Sequence, residues 1–432
     1  MIYYAGSLNK RTIKIGIVVS LAVIIPAIIY LIYNSRMALA APSITKDPNL
    51  KVETLVNGLD SPTSMAFIDN NNILVLQKGG QVRLVSNGAL QDKPVLQVSV
   101  DTESERGLLG IAIMNCTSTK TTPTALNSNN NKLVFLYYTE SNGADLRNRV
   151  YRYDWNVQAQ TLINPTLILD LPGLPGPNHD GGKLIIGPDH YLYAVIGDLN
   201  HRGKLQNIID GPDPDDTSVI LRVNPNDGSA PTDNPFINNL SPEMHKYYAY
   251  GIRNSFGIAF DPVTANLWQT ENGSDVYDEI NVVKPGFNSG WIEVMGPLSR
   301  NIGVNIADEL SNYPGSNYAD PVFSWKNPIA VTDIEFMKSS ALGQKYKNNI
   351  FVGDYNNGNL YYLEVNSTRT GIKQQAGLSS LVVDNDNQLS AVTFGTGFGA
   401  ISDIKTGSID GFLYVLSIND GTIYKIVPSS TK

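Results

Sequence analysis

SDIKTGSIDGFLYVLSINDGTIYKIVP, residues 402–428, holds three short apolar runs separated by two polar turns. Alternating β-branched and aromatic residues bounded by Asp-Gly turns read as consecutive antiparallel strands. The same unit recurs upstream in SMAFIDNNNILVLQKGGQVRLVS (64–86), GKLIIGPDHYLYAVIGD (182–198), FGIAFDPVTANLWQTENG (256–273) and NNIFVGDYNNGNLYYLEV (348–365). Each opens with an apolar strand, turns on Asp with Gly, Asn or Pro, and continues into a Leu-Tyr-Val-like strand. One such unit buries its faces only against its neighbours, so the array has to close on itself. The expectation is all-β: a six-bladed β-propeller over residues 49–430, at about 40 to 65 residues per blade. Its last strand, GTIYKIVP (421–428), is expected to pair with KVETLVNGL (51–59). A pair of β-sandwiches is the structural alternative. The insertions 117–131 and 225–246 read as polar surface loops.

The 432 residues are 42% hydrophobic and 17% charged, enough apolar content for a large core. A net charge of −8 without a basic patch argues against a nucleic-acid partner. Residues 15–35 differ from the rest. They are uncharged, mostly aliphatic and, at about 20 residues, long enough to span a hydrocarbon core. Lys10, Arg11 and Lys14 lie in the basic stretch 1–14, which orients that end to the cytoplasm. In the linker 36–48, Ala38-Leu39-Ala40 resembles a signal-peptidase site. One N-terminal transmembrane anchor or signal segment is therefore expected, with a membrane-anchored or secreted, extracytoplasmic domain after it. Cys116 is the only cysteine, so stability outside the cell rests on the core or on bound ions.

Four stretches carry candidate chemistry. GPNHDGGKLIIGPDHYLYAVIGD, residues 176–198, puts His179 in a glycine-rich loop at the mouth of a hairpin. Asp180 and Asp198 are candidates to orient the imidazole, and Gly181 and Gly182 to let backbone approach a bound ring. A neutral imidazole near pH 7 can take a proton from an alcohol, although a lone loop histidine is otherwise an ordinary surface residue. YGIRNSFGIAFDP (250–262) offers Arg253 and Asn254, whose donors and acceptor suit a planar, oxygen-rich ligand. QTENGSDVYDEINVVKPGFNSGW (269–291) holds Glu271, Asp275, Asp278 and Glu279, an oxygen-rich run suited to an irregular Ca²⁺ site or simply a solvated acidic loop. SERGLLGIAI (104–113) places Glu105 and Arg106 before a turn into a strand, facing the channel mouth or paired at the surface. There is no phosphate-binding loop, dinucleotide fingerprint, nucleophile elbow or Cys/His cluster, so nucleotide-dependent, serine-hydrolase and zinc chemistry lose ground.

Taken in order, ERGLLGIAI, NHDGGKLIIGPDHYLYAVIGD, DGSAPTDNPF, YGIRNSFGIAFDP, ENGSDVYDEINVVKPGFNSGW and the closing SDIKTGSIDGFLYVLSINDGTIYKI resemble the glucose/sorbosone dehydrogenase family of soluble quinoprotein sugar dehydrogenases, over most of residues 50–428. The resemblance implies a six-bladed propeller that oxidises aldose sugars at the anomeric carbon with pyrroloquinoline quinone (PQQ) and Ca²⁺. His179 would be the general base, taking the C1 hydroxyl proton while a hydride passes to the quinone. Arg253 and Asn254 would contact the quinone oxygens, and Arg253 would stabilise the charge that develops there. The carbonyls of Gly273 and Ser274 would hold the cofactor's Ca²⁺, and Asp278 and Glu279 a second, structural calcium. Electrons would leave to an external acceptor.

Three positions depart from the family pattern. A cofactor-binding lysine falls at Asn356 or Asn357, an arginine falls at Ser402, and the glutamine before GLLG is Glu105. PQQ carries three carboxylates. Losing two charge-assisted contacts at about 1.5–3 kcal/mol each costs roughly two to four orders of magnitude in affinity. Lys183, Arg202 and Arg106 are the candidates to compensate. The expected function is an extracytoplasmic quinoprotein aldose dehydrogenase. The alternatives are a non-catalytic propeller that binds a glycan or protein partner, and a Ca²⁺-dependent lactonase.

Overall fold

The computed structural model describes residues 41–115, 132–143 and 145–429. The chain divides into Met1–Ala41 and Pro42–Lys432. The expected anchor or signal segment, 15–35, and the insertion 117–131 lie outside the described residues. Among the described residues no helix is long and apolar enough to cross a membrane.

Six sheets follow one another along Pro42–Lys432, opening with the strands Pro62–Phe67, Leu108–Asn115, Leu184–Ile186, Gly257–Phe260, Val331–Phe336 and Ile401–Thr406. These opening strands touch one another in cyclic order, the last against the first, so the sheets form a ring. Each sheet then runs outward through antiparallel neighbours, which makes the fold an all-β propeller. The last sheet continues through Leu413–Ser417 and Thr422–Pro428 and takes its fourth strand, Leu50–Val56, from the start of the domain. Val52 stands opposite Ile426 there, the closing pair expected from the sequence.

The strands read as nearly unbroken apolar runs because both faces are buried. Successive side chains point to opposite faces of a strand. Leu74 and Leu76 pack with Val134 and Leu136 of the second sheet. Ile73 and Val75, between them, pack with Leu416 and Ile423 of the sixth. The other junctions repeat this: Phe135 and Tyr137 against Ala194 and Leu221, Val195 and Ile220 against Ile258 and Val283, Trp268 and Trp325 against Phe336 and Val352, Phe351 and Leu360 against Ile404 and Val415.

Two features differ from the sequence reading. The stretch 225–246 is more than a polar surface loop: Phe236 and Met244 are fully buried in the core between the second and third sheets. Two sheets also extend through short parallel strands, Phe287–Asn288 beside Tyr247–Tyr250 and Val382–Val383 beside Phe323–Trp325. Two-residue segments carry no periodicity from which to read them.

Candidate active site

A cavity of about 560 Å³ lies at the hub, with wall residues from the opening strands or preceding loops of all six sheets. His179, Arg253, Asn254, Glu105, Asn356, Ser402, Gly273, Ser274 and Asp278 all line it. Glu279 does not, and neither do His190, His201 and His245.

His179 sits at φ +67°, a left-handed conformation uncommon for a side chain with a Cβ. Two contacts hold it there. Its backbone N–H donates to Glu105 Oε2 at 2.6 Å, and its Nδ1 lies 2.6 Å from Asp198 Oδ1. A carboxylate only accepts, so Nδ1 carries the proton, and in the neutral ring Nε2 keeps the lone pair. Among the described residues Nε2 has no partner. Asp198 Oδ2 accepts from the Trp291 indole at 2.7 Å, and the Arg253 guanidinium lies over that indole, 5.3 Å from the ring centroid. Imidazole and guanidinium are thus linked through Asp198 and Trp291. Gly197 allows the convergence: a Cβ there would stand 2.4 Å from His179 O and 2.5 Å from Arg253 O.

The loops are tied from behind. Glu105 Oε2 also accepts from Asn254 Nδ2 at 3.1 Å, so this carboxylate joins the second, third and fourth sheets. Arg253 N donates to Glu271 Oε1 at 2.7 Å, and its Nη1 donates to the carbonyls of Asn272 and Gly273 at 3.1 and 2.9 Å. Three buried polar atoms on the cavity's residues have no partner among the described residues: Arg253 Nε, Asn254 Oδ1 and Thr332 Oγ1. Such orphans are costly unless a ligand satisfies them.

Several sequence-stated roles are redistributed. Asp180 does not orient the imidazole; its Oδ1 accepts from Asn148 at 2.9 Å, and burial pushes its carboxyl up to about 6. Gly181 lines the cavity and Gly182 does not, and both are also tightly packed: a Cβ on Gly181 would sit 2.9 Å from Val195 O, and one on Gly182 2.7 Å from Leu109 Cβ. Arg106 is buried away from the cavity, donating to Gly173 O, and Arg202 is an exposed residue outside the lining. Lys183 does reach the cavity, but its Nζ is 2.8 Å from Asp333 and 2.7 Å from Asp403, which offset its charge. Asn356 lines the cavity, whereas Asn357 turns away to Asp354. The Ser402 hydroxyl donates to Pro62 O at 2.8 Å.

Asp278 and Glu279 are consecutive on the strand Asp278–Val283 and therefore face opposite ways, so they do not converge on one ion. Asp278 accepts from the backbone N–H groups of Gly273, Ile329 and Val331 and shapes the Gly273 loop. Glu279 stands opposite Glu271 in the ladder. Both are buried. Burial raises each carboxyl well above the usual range, and Glu271 raises Glu279 further. Among the described residues no cluster of three or more His, Cys, Asp or Glu is set to hold a metal. Two residues escaped the sequence reading: Lys78, a cation in the lining, and Trp291, the bridge between Asp198 and Arg253. The signal for Lys78 was its place at the end of an apolar strand, just before Gly-Gly. Trp291 offered none, since its partners are distant in sequence.

The family profile for glucose/sorbosone dehydrogenases matches residues 59–425. Aldose sugar dehydrogenase YliI of Escherichia coli is 28% identical over 407 residues, covering 92% of this chain and 97% of that protein. Quinoprotein glucose dehydrogenase B of Acinetobacter calcoaceticus is 30% identical over 277 residues, covering 58% of this chain and 54% of that protein. The PQQ-bound aldose sugar dehydrogenase of Streptomyces coelicolor shares the fold, with a TM-score of 0.63 at 22% identity, covering 90% of this chain and 100% of that one.

Proposed function

Because the chain belongs to the glucose/sorbosone dehydrogenase family, whose members are oxidoreductases, we propose that it oxidises the anomeric hydroxyl of an aldose with PQQ as electron acceptor. One observation carries this reading. An imidazole with a free Nε2 and a carboxylate behind it shares a cavity wall with a guanidinium and an amide that have unsatisfied atoms. We also read the six sheets of the ring as six blades.

The residues fit the cofactor. Orphaned Arg253 Nε, a donor, and Asn254 Oδ1, an acceptor, match a flat heterocycle that offers both carbonyl oxygens and ring N–H. When bound, PQQ supplies a two-electron acceptor for the hydride leaving C1. His179 Nε2 takes the hydroxyl proton. Asp198 keeps Nδ1 protonated and stabilises the imidazolium that forms. Arg253 would donate to the cofactor's oxygens and Asn254 Oδ1 would accept its ring N–H, with Arg253 aligned by the Trp291 ring. Phe256 and Tyr355, also in the lining, supply apolar wall. For calcium, the carbonyls of Gly273 and Ser274 would hold the cofactor's ion, in competition with the bond from Arg253 to Gly273 O. Glu279 fits a second, structural ion together with Glu271 rather than with Asp278.

The segment 15–35 supports an extracytoplasmic location, where reduced cofactor would pass its electrons to an external acceptor. The test is direct. The domain incubated with PQQ and Ca²⁺ should reduce an artificial dye when given aldoses. No dye reduction with any aldose, together with an unchanged PQQ absorbance spectrum, would point to the glycan- or protein-binding alternative.

A further inference from the structure

We propose that Lys78 anchors a carboxylate of the ligand held in the hub cavity, an assignment that rests on the reading of that ligand as the tricarboxylate PQQ. Three side-chain cations line the cavity: Lys78, Lys183 and Arg253. Lys183 is offset by Asp333 and Asp403, both fully buried. Arg253 is directed at two backbone carbonyls beneath it. Lys78 differs from both. Its Nζ donates to Ser104 O, and among the described residues no carboxylate lies within ion-pair distance of it. One neutral acceptor leaves two ammonium N–H groups and the whole charge free for an anion. The carboxylates of the lining are engaged elsewhere, Glu105 with His179 N and Asn254, Asp278 with three backbone amides.

The backbone fixes where this charge is delivered. Lys78 N donates to Ser61 O, and Leu108 N donates to Lys78 O, so the residue sits at the junction of the first and second sheets. Its stem lies over Gly107, where a Cβ would be 2.7 Å from Lys78 Cγ. Any side chain at 107 would push the stem off this course. On the other flank, Pro62 stands opposite Gln77 and accepts from the Ser402 hydroxyl. Lys78 therefore brings positive charge to the cavity from the second-sheet flank of the first sheet, while neutral Ser402 lines it from the sixth.

The experiment measures PQQ binding to the full chain in the presence of Ca²⁺, by quenching of tryptophan fluorescence, with no turnover involved. Lys78→Gln should weaken PQQ binding roughly tenfold or more, the size of one charge-assisted contact. Lys78→Arg should restore most of it. The trimethyl ester of PQQ, which has no carboxylate, should bind Lys78→Gln and the unaltered chain alike. Lys78→Met keeps the stem over Gly107 and should repeat the Gln result if that variant folds poorly. PQQ affinity within twofold of the unaltered chain in Lys78→Gln and Lys78→Met would overturn the assignment and leave the function standing. Equal losses for PQQ and its ester would also overturn it, since a structural role moves both. Failure of the unaltered chain to bind PQQ would sink the functional reading, and this assignment with it.

Discussion

At Asp198 one carboxylate serves three neighbours, His179 Nδ1 and the Asn200 backbone N–H through Oδ1 and Trp291 Nε1 through Oδ2. Asp198→Asn would present an amide N–H to Nδ1 and place the proton on Nε2, the wrong tautomer for accepting one. Dye-linked turnover should fall roughly 10³-fold in Asp198→Asn and 10²–10⁴-fold in His179→Ala, with PQQ binding kept. Asp180 makes a separate prediction. Its folded-state carboxyl is raised from 3.8 to about 6, so the stability it contributes is full below the unfolded value and lost as pH rises through the folded one. Asp180→Asn should remove up to about 3 kcal/mol of the decline in stability between pH 4 and 7, measured by urea unfolding across that range. The pair proposed at 179 and 253 was legible only through the ordered set of motifs that contains His-Asp-Gly-Gly and Arg-Asn, since a loop histidine or arginine alone is an ordinary surface residue. The division of labour between Asp180 and Asp198 was not: which carboxylate reaches the ring depends on the left-handed turn at His179.

Strands and loops show where local pattern suffices. A run such as LYAVI announces itself because a strand buried on both faces has no polar alternation to interrupt it. The loops beyond 224 deceived because Phe236 and Met244 lie far apart among Asn, Asp, Pro and Ser. The second opening strand presses on the loop before the third at Gly110, where a Cβ would fall 1.8 Å from Gly182 O. Gly110→Ala should therefore separate the second and third sheets at the hub and destabilise the domain by about 3 kcal/mol or more, read as a lowered urea midpoint. In the same way Glu105→Ala cuts the tie between His179 and Asn254. It should raise the KM for sugar and weaken PQQ binding while leaving the unfolding midpoint nearly in place.

For the whole molecule, stability is distributed over the junctions between sheets. Trp325, fully buried between the fourth and fifth sheets, fills one of them, and Trp325→Ala should cost about 3–5 kcal/mol in urea unfolding. The charge ledger adds a condition. Glu271 and Glu279 are buried opposite each other with raised carboxyls, so the chelated protein should lose stability as pH climbs from the ordinary glutamate range into the neutral range. Added Ca²⁺ should flatten that slope in thermal unfolding followed at several pH values. An unchanged slope would remove the second ion from the scheme.

The strand Leu50–Val56 meets its partner Thr422–Pro428 only after nearly the entire domain has been made. During synthesis, five and a half sheets are complete while both ends of an open ribbon expose unpaired backbone, the kind of edge that recruits foreign strands. A chain stopped before residue 422 therefore has no smaller circle to settle into, and it should be recovered as aggregates rather than as a shortened soluble protein.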